Sequence, residues 1–100
     1  MSEIVINIAK DFSRAPAGRF ISDGPNSGER FRNDFLVPAL KSDSNAVVQL
    51  DGTRGLGSSF LEEAFGGLRR LGYAADDLLR RIRLVTNDSS LVSEIQGYWK

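Results

Sequence analysis

Residues 46–63 read AVVQLDGTRGLGSSFLEE, and this stretch decides how the rest of the chain must fold. The short apolar run over 46–50, bounded by turn-forming residues, predicts an interior β-strand. A glycine-rich turn over 51–57 follows, and a helix then opens with Ser58 and Ser59. Such a junction presents backbone N–H groups and two hydroxyls at the positive end of a helix dipole. It can bind an anion, carry a phosphate or contact a partner.

Outward from this junction, hydrophobic periodicity predicts an α/β fold. Strands are expected over 4–8, where isoleucine alternates with less apolar residues, and over 82–86. A short strand is also expected over 18–21, as the hairpin partner of the first. The predicted order β-β-α-β-α-β-α gives one domain over residues 1–100. Its architecture would be a four-stranded, partly parallel sheet with helices packed on it.

Capping residues and helix breakers predict where the helices begin and end. Either Asn26 or Ser27 can cap the first helix, and Pro38 should kink or end it. A short helical segment is expected over 74–81, and residues 87–90 should cap a final helix that carries Trp99. The apolar residues of the first helix fall at helical spacing and should face the core: Phe31, Phe35, Leu36 and Leu40.

The second helix should run over 59–71, with Ser59 and Glu62 at capping-box spacing. Two glycines, Gly66 and Gly67, lie inside it at a propensity cost of roughly 1 kcal/mol each. Such a cost is tolerated where a helix must pack closely, so we expect another backbone to lie against them. The next glycine, at position 72, should end the helix.

The composition narrows the possible functions. The 100 residues include 13 basic and 13 acidic side chains but no histidine and no cysteine. The balanced charge gives no electrostatic footprint for nucleic acid or membrane partners. Without imidazoles and thiols the commonest general base and zinc ligands are missing, so we expect a non-enzymatic protein without metal or cofactor. No basic, apolar leader opens the chain, and a cytoplasmic location is expected.

Three phosphate motifs can be compared with the glycine-rich turn, and each lacks an essential residue. A P-loop needs a lysine where this chain has Ser58. A dinucleotide fingerprint needs a small residue where it has Phe60. In hydrolases of the haloacid dehalogenase type, the nucleophilic aspartate would stand at Gln49, two residues before Asp51.

The candidate site is therefore the turn together with the first residues of the helix. Ser58 and Ser59 are the phosphorylation candidates, and Ser59 can alternatively serve only as a helix cap. Asp51 can equally close an Asx turn, and Arg54 can simply be solvated. The residues expected to bind a partner or an anion are Asp51, Gly52, Thr53, Arg54, Gly55 and Gly57.

Three functions fit such a site. The first is a regulatory module that binds another protein through the turn and the second helix. The second is an anion or nucleotide sensor, in which the N–H groups around Gly55 and Gly57 form a nest. The third is a hydrolase that uses Asp51 together with Asp23 or Glu29. The small size and the composition favour the first.

Five segments together resemble a known family. They read GRF at 18–20, DGP at 23–25, SGERFR at 27–32, LDG at 50–52 and GSSFLEEAFGGL at 57–68. This pattern resembles the prokaryotic STAS-like domain of unknown function. More broadly, it is similar to the domains of sulfate transporters and anti-sigma-factor antagonists.

The resemblance implies a small α/β fold with a central, partly parallel sheet and helices on one side. It also implies a role in signalling. In the antagonists, a serine at the start of the helix after such a strand is phosphorylated by a kinase of the Hsp90/histidine-kinase ATPase fold. The phosphate switches binding to that partner. Ser58 falls closest to this position and Ser59 is its neighbour, although Gly57 stands where the antagonists usually have an aspartate.

Overall fold

The strands of this protein form one parallel sheet in the order β1-β2-β3. The computed structural model describes residues 2–100, in which β1 is Glu3–Asn7, β2 is Asn45–Gln49 and β3 is Ile82–Val85. The strand between two neighbours, β2, is also the most buried, as a central parallel strand must be. The strands expected around 4–8, 46–50 and 82–86 are thus confirmed.

Helices follow each strand. Within the described residues they are α1 (28–41), α2 (58–70), α3 (Ala75–Arg81) and α4 (Ser89–Gly97). A single π-helical turn, Ile8–Phe12, also follows β1. The two long helices each contain a five-residue π-helical segment, Arg32–Leu36 in α1 and Glu62–Gly66 in α2. Each segment comes after four α-helical residues, so the two helices widen at the same distance from their starts.

Residues 18–21 do not form the expected fourth strand. The carbonyl groups of residues 18 and 19 accept hydrogen bonds from the N–H groups of Gly28 and Glu29, each at 3.0 Å. The following residues, Ile21–Asp23, make one 3-10 turn. Because this backbone is used to cap the start of α1, it cannot pair with β1. Among residues 2–100 the sheet consequently has three strands and is wholly rather than partly parallel.

Two expectations for α1 can be compared with its hydrogen bonds. Ser27 is the cap, since its Oγ accepts from the N–H of Arg30 at 3.2 Å. Pro38 does not end the helix, which continues to Lys41. The N–H of Val37 donates to the carbonyl of Arg32, five residues earlier. Just before Pro38 the backbone hydrogen bonds are therefore already those of the π segment. The proline for this reason interrupts no regular α-helical pattern.

Aromatic rings fill the core between the helices and the sheet. Phe31 lies 5.9 Å from Phe60 and 6.3 Å from Phe65, and the Phe65 ring lies 6.2 Å from Trp99, measured between centroids. These four side chains are buried, which confirms the expectation for Phe31, whereas Phe35, expected in the core as well, is only half-buried. Phe12 joins the same cluster, 5.3 Å from Phe31, although its polar neighbours gave no sign of it. The core thus connects α1, α2 and the end of the chain.

The long helices meet at closely packed glycines. A Cβ atom added to Gly28 would lie 2.4 Å from the carbonyl oxygen of Phe60, so the backbones of α1 and α2 touch there. A Cβ atom on Gly67 would lie 2.2 Å from Nη1 of Arg32. The expected close packing at 66–67 is therefore against a side chain, and the backbone contact occurs at Gly28. Gly72, with φ of 103°, ends α2 as expected.

We expect Gly28→Ala to destabilise the protein by about 1–3 kcal/mol, because the methyl group would force α1 away from the Phe60 carbonyl. Urea unfolding monitored by circular dichroism measures the change. Gly97→Ala is the matched control, since a Cβ atom at that helical position would meet nothing within 4 Å. Its stability should stay the same or rise slightly. Equal losses in both variants would contradict this account of the interface.

Candidate functional site

Asp51 ties the glycine-rich turn to the segment after β3. Its Oδ1 accepts a hydrogen bond from Thr86 Oγ1 at 2.6 Å, and its Oδ2 accepts one from the Asn87 N–H at 2.9 Å. Both contacts lie at the carboxyl edge of the sheet, where α/β folds commonly bind ligands. The carboxylate therefore joins two neighbouring strand ends instead of closing a turn on its own backbone.

Few contacts fix the conformation of the rest of the glycine-rich turn. Gly52 has a φ of 102°, which only glycine adopts readily, and the N–H of Arg54 donates to the Arg14 carbonyl at 2.8 Å. Thr53 is half-buried. The other turn residues expected to bind a partner are exposed: Asp51, Gly52, Arg54, Gly55 and Gly57. The turn thus presents a polar, accessible surface next to the start of α2.

Gly57, and not Ser59, is the N-cap of α2. The helix begins one residue earlier than expected, at Ser58, so the expected capping box of Ser59 and Glu62 does not form. The Glu62 carboxylate instead pairs with arginines. Both serine side chains are exposed, but they differ in their contacts. Ser58 Oγ donates to Glu94 Oε2 at 3.0 Å, whereas Ser59 makes no side-chain hydrogen bond within residues 2–100.

Glu94 connects Ser58 to the end of the chain. The same Oε2 accepts a hydrogen bond from Tyr98 Oη at 2.5 Å. Burial raises the pKa of Tyr98, and the hydrogen bond to the Glu94 carboxylate raises it further. Sequence reasoning assigned no role to Glu94 or Tyr98. Their spacing of four residues on one helix was a usable signal, but it did not indicate the contact with Ser58.

Beside this site, arginines and glutamates link α2 to α1 and to the loop before it. Arg32 Nη1 donates to Glu63 Oε2 at 2.7 Å, and these side chains are only 10% and 9% exposed. Arg70 Nη1 contacts Glu62 Oε2 at 2.6 Å, and Arg19 also pairs with Glu62. The hydrogen bond from Arg70 lowers the pKa of Glu62, against the effect of its partial burial, and Arg19 lowers it further.

A shallow cleft of about 300 Å³ opens beside the turn. Its lining residues are Leu50, Asp51, Gly52, Thr53, Gly55, Leu56, Asp88 and Leu91. Two carboxylates, those of Asp51 and Asp88, face it, and the hydrogen bonds from Ser90 keep the pKa of Asp88 below its usual value. A bound anion would therefore meet the negative charge of two carboxylates in the cleft.

The carboxylates of the hydrolase hypothesis lie in separate places. Neither Asp23 nor Glu29 lines the cleft at Asp51. Asp23 accepts hydrogen bonds from the N–H groups of Arg19 and Phe20, and Glu29 accepts one from Ile21. Both therefore stabilise the loop before α1. Within residues 2–100 no three acidic side chains are grouped to hold a metal ion.

A larger cleft, of about 450 Å³, lies between the carboxyl ends of α1 and α2. It is lined by Asn33, Val37, Lys41, Leu71, Gly72 and Tyr73. Leu71 is 56% exposed in it. No motif in the sequence pointed to this cleft, because its residues come from two helix ends that are distant in the chain.

The ion pairs of Glu62 should make the free energy of unfolding depend on pH in the acidic range. Its pKa in the folded protein is below the usual value of 4.5, so its ion pairs stabilise the fold above that pH and are lost as the pH falls below it. We expect Glu62→Gln to lower the free energy of unfolding near neutral pH, and the deficit to shrink on acidification to about pH 3. Urea titrations at several pH values measure this.

Glu3→Gln, at an exposed position in β1, is the control for the loss of one carboxylate. Its difference from the wild-type protein should vary less with pH. A deficit in Glu62→Gln that stays constant down to about pH 3 would show that the ion pairs of Glu62 do not contribute as described.

The chain was compared with protein families, curated proteins and solved structures. A family described as a STAS-like domain of unknown function matches residues 27–91. No curated protein and no solved structure matches the chain. No helix within residues 2–100 has the length and apolar character needed to cross a membrane. The family match indicates no catalytic class, and it spans well over half of the chain. The protein therefore belongs to the family of STAS-like domains of unknown function.

Proposed function

We propose that this protein is a non-enzymatic regulatory module that binds a partner ATPase or serine kinase, and that phosphorylation of Ser58 switches the contact. The partner would carry the Hsp90/histidine-kinase fold that the resemblance to anti-sigma-factor antagonists implies. The binding surface would be the glycine-rich turn, residues 51–57, with the first turn of α2. The hydrogen bond between the exposed Ser58 hydroxyl and Glu94 carries the proposal.

A phosphate on Ser58 could not keep this hydrogen bond. The bond needs a donor, and a phosphoserine carries about −1.5 to −2 charge and accepting oxygens. That charge would stand beside the carboxylate of Glu94, 3.0 Å from the present Oγ. The positive end of α2, which begins at Ser58, offers it N–H groups that have no partner within the helix. We therefore expect the phosphate to turn toward the helix N-terminus and to separate Ser58 from Glu94.

Separation from Glu94 would affect α4 and the end of the chain. α4 carries the Glu94–Tyr98 hydrogen bond, and directly after it Trp99 donates from Nε1 to the Phe65 carbonyl at 2.9 Å. Trp99 is the only tryptophan in the sequence and is fully buried. Its fluorescence can report whether the modification loosens α4. The partner surface and the helix beside it would then change together.

Ser59 provides a comparison within the same turn. Like Ser58 it is exposed, but it makes no side-chain hydrogen bond in the described part of the chain. A charge at Ser59 would enter the same region without displacing Glu94. Comparing the same substitution at the two serines therefore distinguishes an effect of the added charge alone from an effect that is transmitted through α4.

We expect Ser58→Glu to shift and weaken the Trp99 fluorescence toward that of an exposed indole, and Ser59→Glu to leave it nearly unchanged. In affinity capture from the native lysate, wild-type protein and Ser58→Ala should retain the ATPase or kinase. Ser58→Glu should retain at least tenfold less. Mass spectrometry should map phosphate to Ser58 in the wild-type bait. A partner whose binding ignores all three substitutions, or a bait that is never modified, would contradict the switch.

The second candidate function is ligand sensing, favoured by the cleft of about 300 Å³ beside the turn. Exposed N–H groups near Gly55 and Gly57 would contact an anion at its rim. A thermal-shift panel of nucleotides separates the two functions. A sensor should gain several degrees at saturating ligand, whereas we expect the melting temperature of this protein to stay constant. A dose-dependent rise that Gly55→Pro abolishes would favour sensing.

A further inference from the structure

β1 is an outer strand of the sheet, and its backbone alternates between groups that pair with β2 and groups that point away. The N–H of Asn45 donates to the carbonyl of Ser2 at 3.0 Å, in the register that sets Glu3 beside Asn45. The even-numbered residues of β1 therefore direct their N–H and C=O groups toward β2. The odd-numbered residues, Glu3, Val5 and Asn7, direct theirs to the open edge.

The open edge is partly closed at one end. The N–H of Asn7 donates to Asp11 Oδ2 at 2.8 Å. Within residues 2–100 the backbone groups of Glu3 and Val5 have no hydrogen-bond partner. The side chain of Val5 is 55% exposed on the face of the sheet opposite the buried Ile6. β1 also lacks the lysine or proline that commonly protects an edge strand from pairing.

We propose that β1 pairs antiparallel with β1 of a second copy of this chain, around a twofold axis at Val5. The sequence of the strand, Glu3-Ile4-Val5-Ile6-Asn7, is nearly symmetric about that residue. In this register the two Val5 residues exchange both backbone hydrogen bonds. Each Glu3 N–H donates to the Asn7 carbonyl of the other copy, while the Asn7 N–H stays with Asp11.

The side chains match in the same register. Ile4 of each copy lies opposite Ile6 of the other, on the face that packs on the helices, and the two Val5 side chains meet on the open face. β-branched pairs are favourable across antiparallel strands, and no like charges face each other. Both copies contribute the same surface to this contact, so two chains satisfy it completely. The product is a dimer with one continuous sheet and not a fibre. An unrelated extended segment would lack this matched set of pairs.

Charged substitutions at the axis test the register directly. Two copies of residue 5 would stand with Cα atoms about 5.5 Å apart. We expect wild-type protein to sediment as a concentration-dependent dimer, and Val5→Lys and Val5→Asp each to weaken self-association at least tenfold. An equimolar mixture of the two variants should form a one-to-one heterodimer that weakens as salt is added. Because Val5 is exposed in the monomer, both variants should keep the wild-type circular dichroism and melting temperature at low concentration.

A second pair of variants tests the backbone contact. Val5→Pro removes the N–H at the twofold axis, which points to the open edge, and no N–H that bonds to β2, so it should abolish the dimer. Val5→Thr keeps that N–H and should preserve the dimer. If Val5→Pro fails to fold, the Lys and Asp variants still decide the matter. Wild-type protein that stays monomeric to millimolar concentration, or a mixture of the two charged variants that does not associate, would overturn the proposal. A dimer that neither charge weakens would also overturn it.

Discussion

The buried ion pair between Arg32 and Glu63 is the contact on which the arrangement of the two long helices depends. Each side chain lies in a π-helical segment, and the two are among the few charged groups that the fold removes from water. Burying a charge pair is favourable only when geometry and further hydrogen bonds compensate for lost solvation. Arg32 has such a further bond, to the carbonyl of Glu63 at 2.7 Å. Gly67 is needed because the guanidinium occupies the space that a side chain would fill.

The position of the candidate site follows from this helix packing. α2 lies against α1 through Arg32 and through the backbone contact at Gly28, which fixes where its first turn stands above the sheet. α4 then packs on α2, with Trp99 bonded to Phe65. Ser58 and Glu94 meet because both helices are held in this way. The regulatory site proposed for Ser58 is consequently part of the same packing unit as the core, and we expect a change at this side chain to affect the end of the chain.

Local sequence patterns predicted most of the helices and strands, and they also predicted that the glycine-rich turn is exposed. They could do so because strand and helix periodicity depend on residues that are close together in the sequence. They failed where distant backbone decided the outcome. Residues 18–21 have strand-like composition, but their carbonyl groups are taken by the start of α1. Ser59 fits a cap in isolation, yet α2 starts one residue earlier with Gly57 as its cap. The Ser58–Glu94 contact joins residues 36 positions apart, and no single-sequence pattern could have located it.

The matching π segments of α1 and α2 restrict how the length of this chain can vary. Such a segment holds one residue more than the α-helix that it replaces. Deleting that extra residue from either segment would restore a plain α-helix and leave the following residues on the same face. A deletion earlier in either helix, outside the π segment, would instead turn everything after it by about 100°, since an α-helix has 3.6 residues per turn. In α2 this would carry Gly67 away from Arg32, and in α1 it would carry Leu40 out of the core. Insertions and deletions among natural relatives should therefore avoid the α-helical parts of both helices and accumulate at the π segments, in the loop between residues 13 and 27 and around residues 71–74.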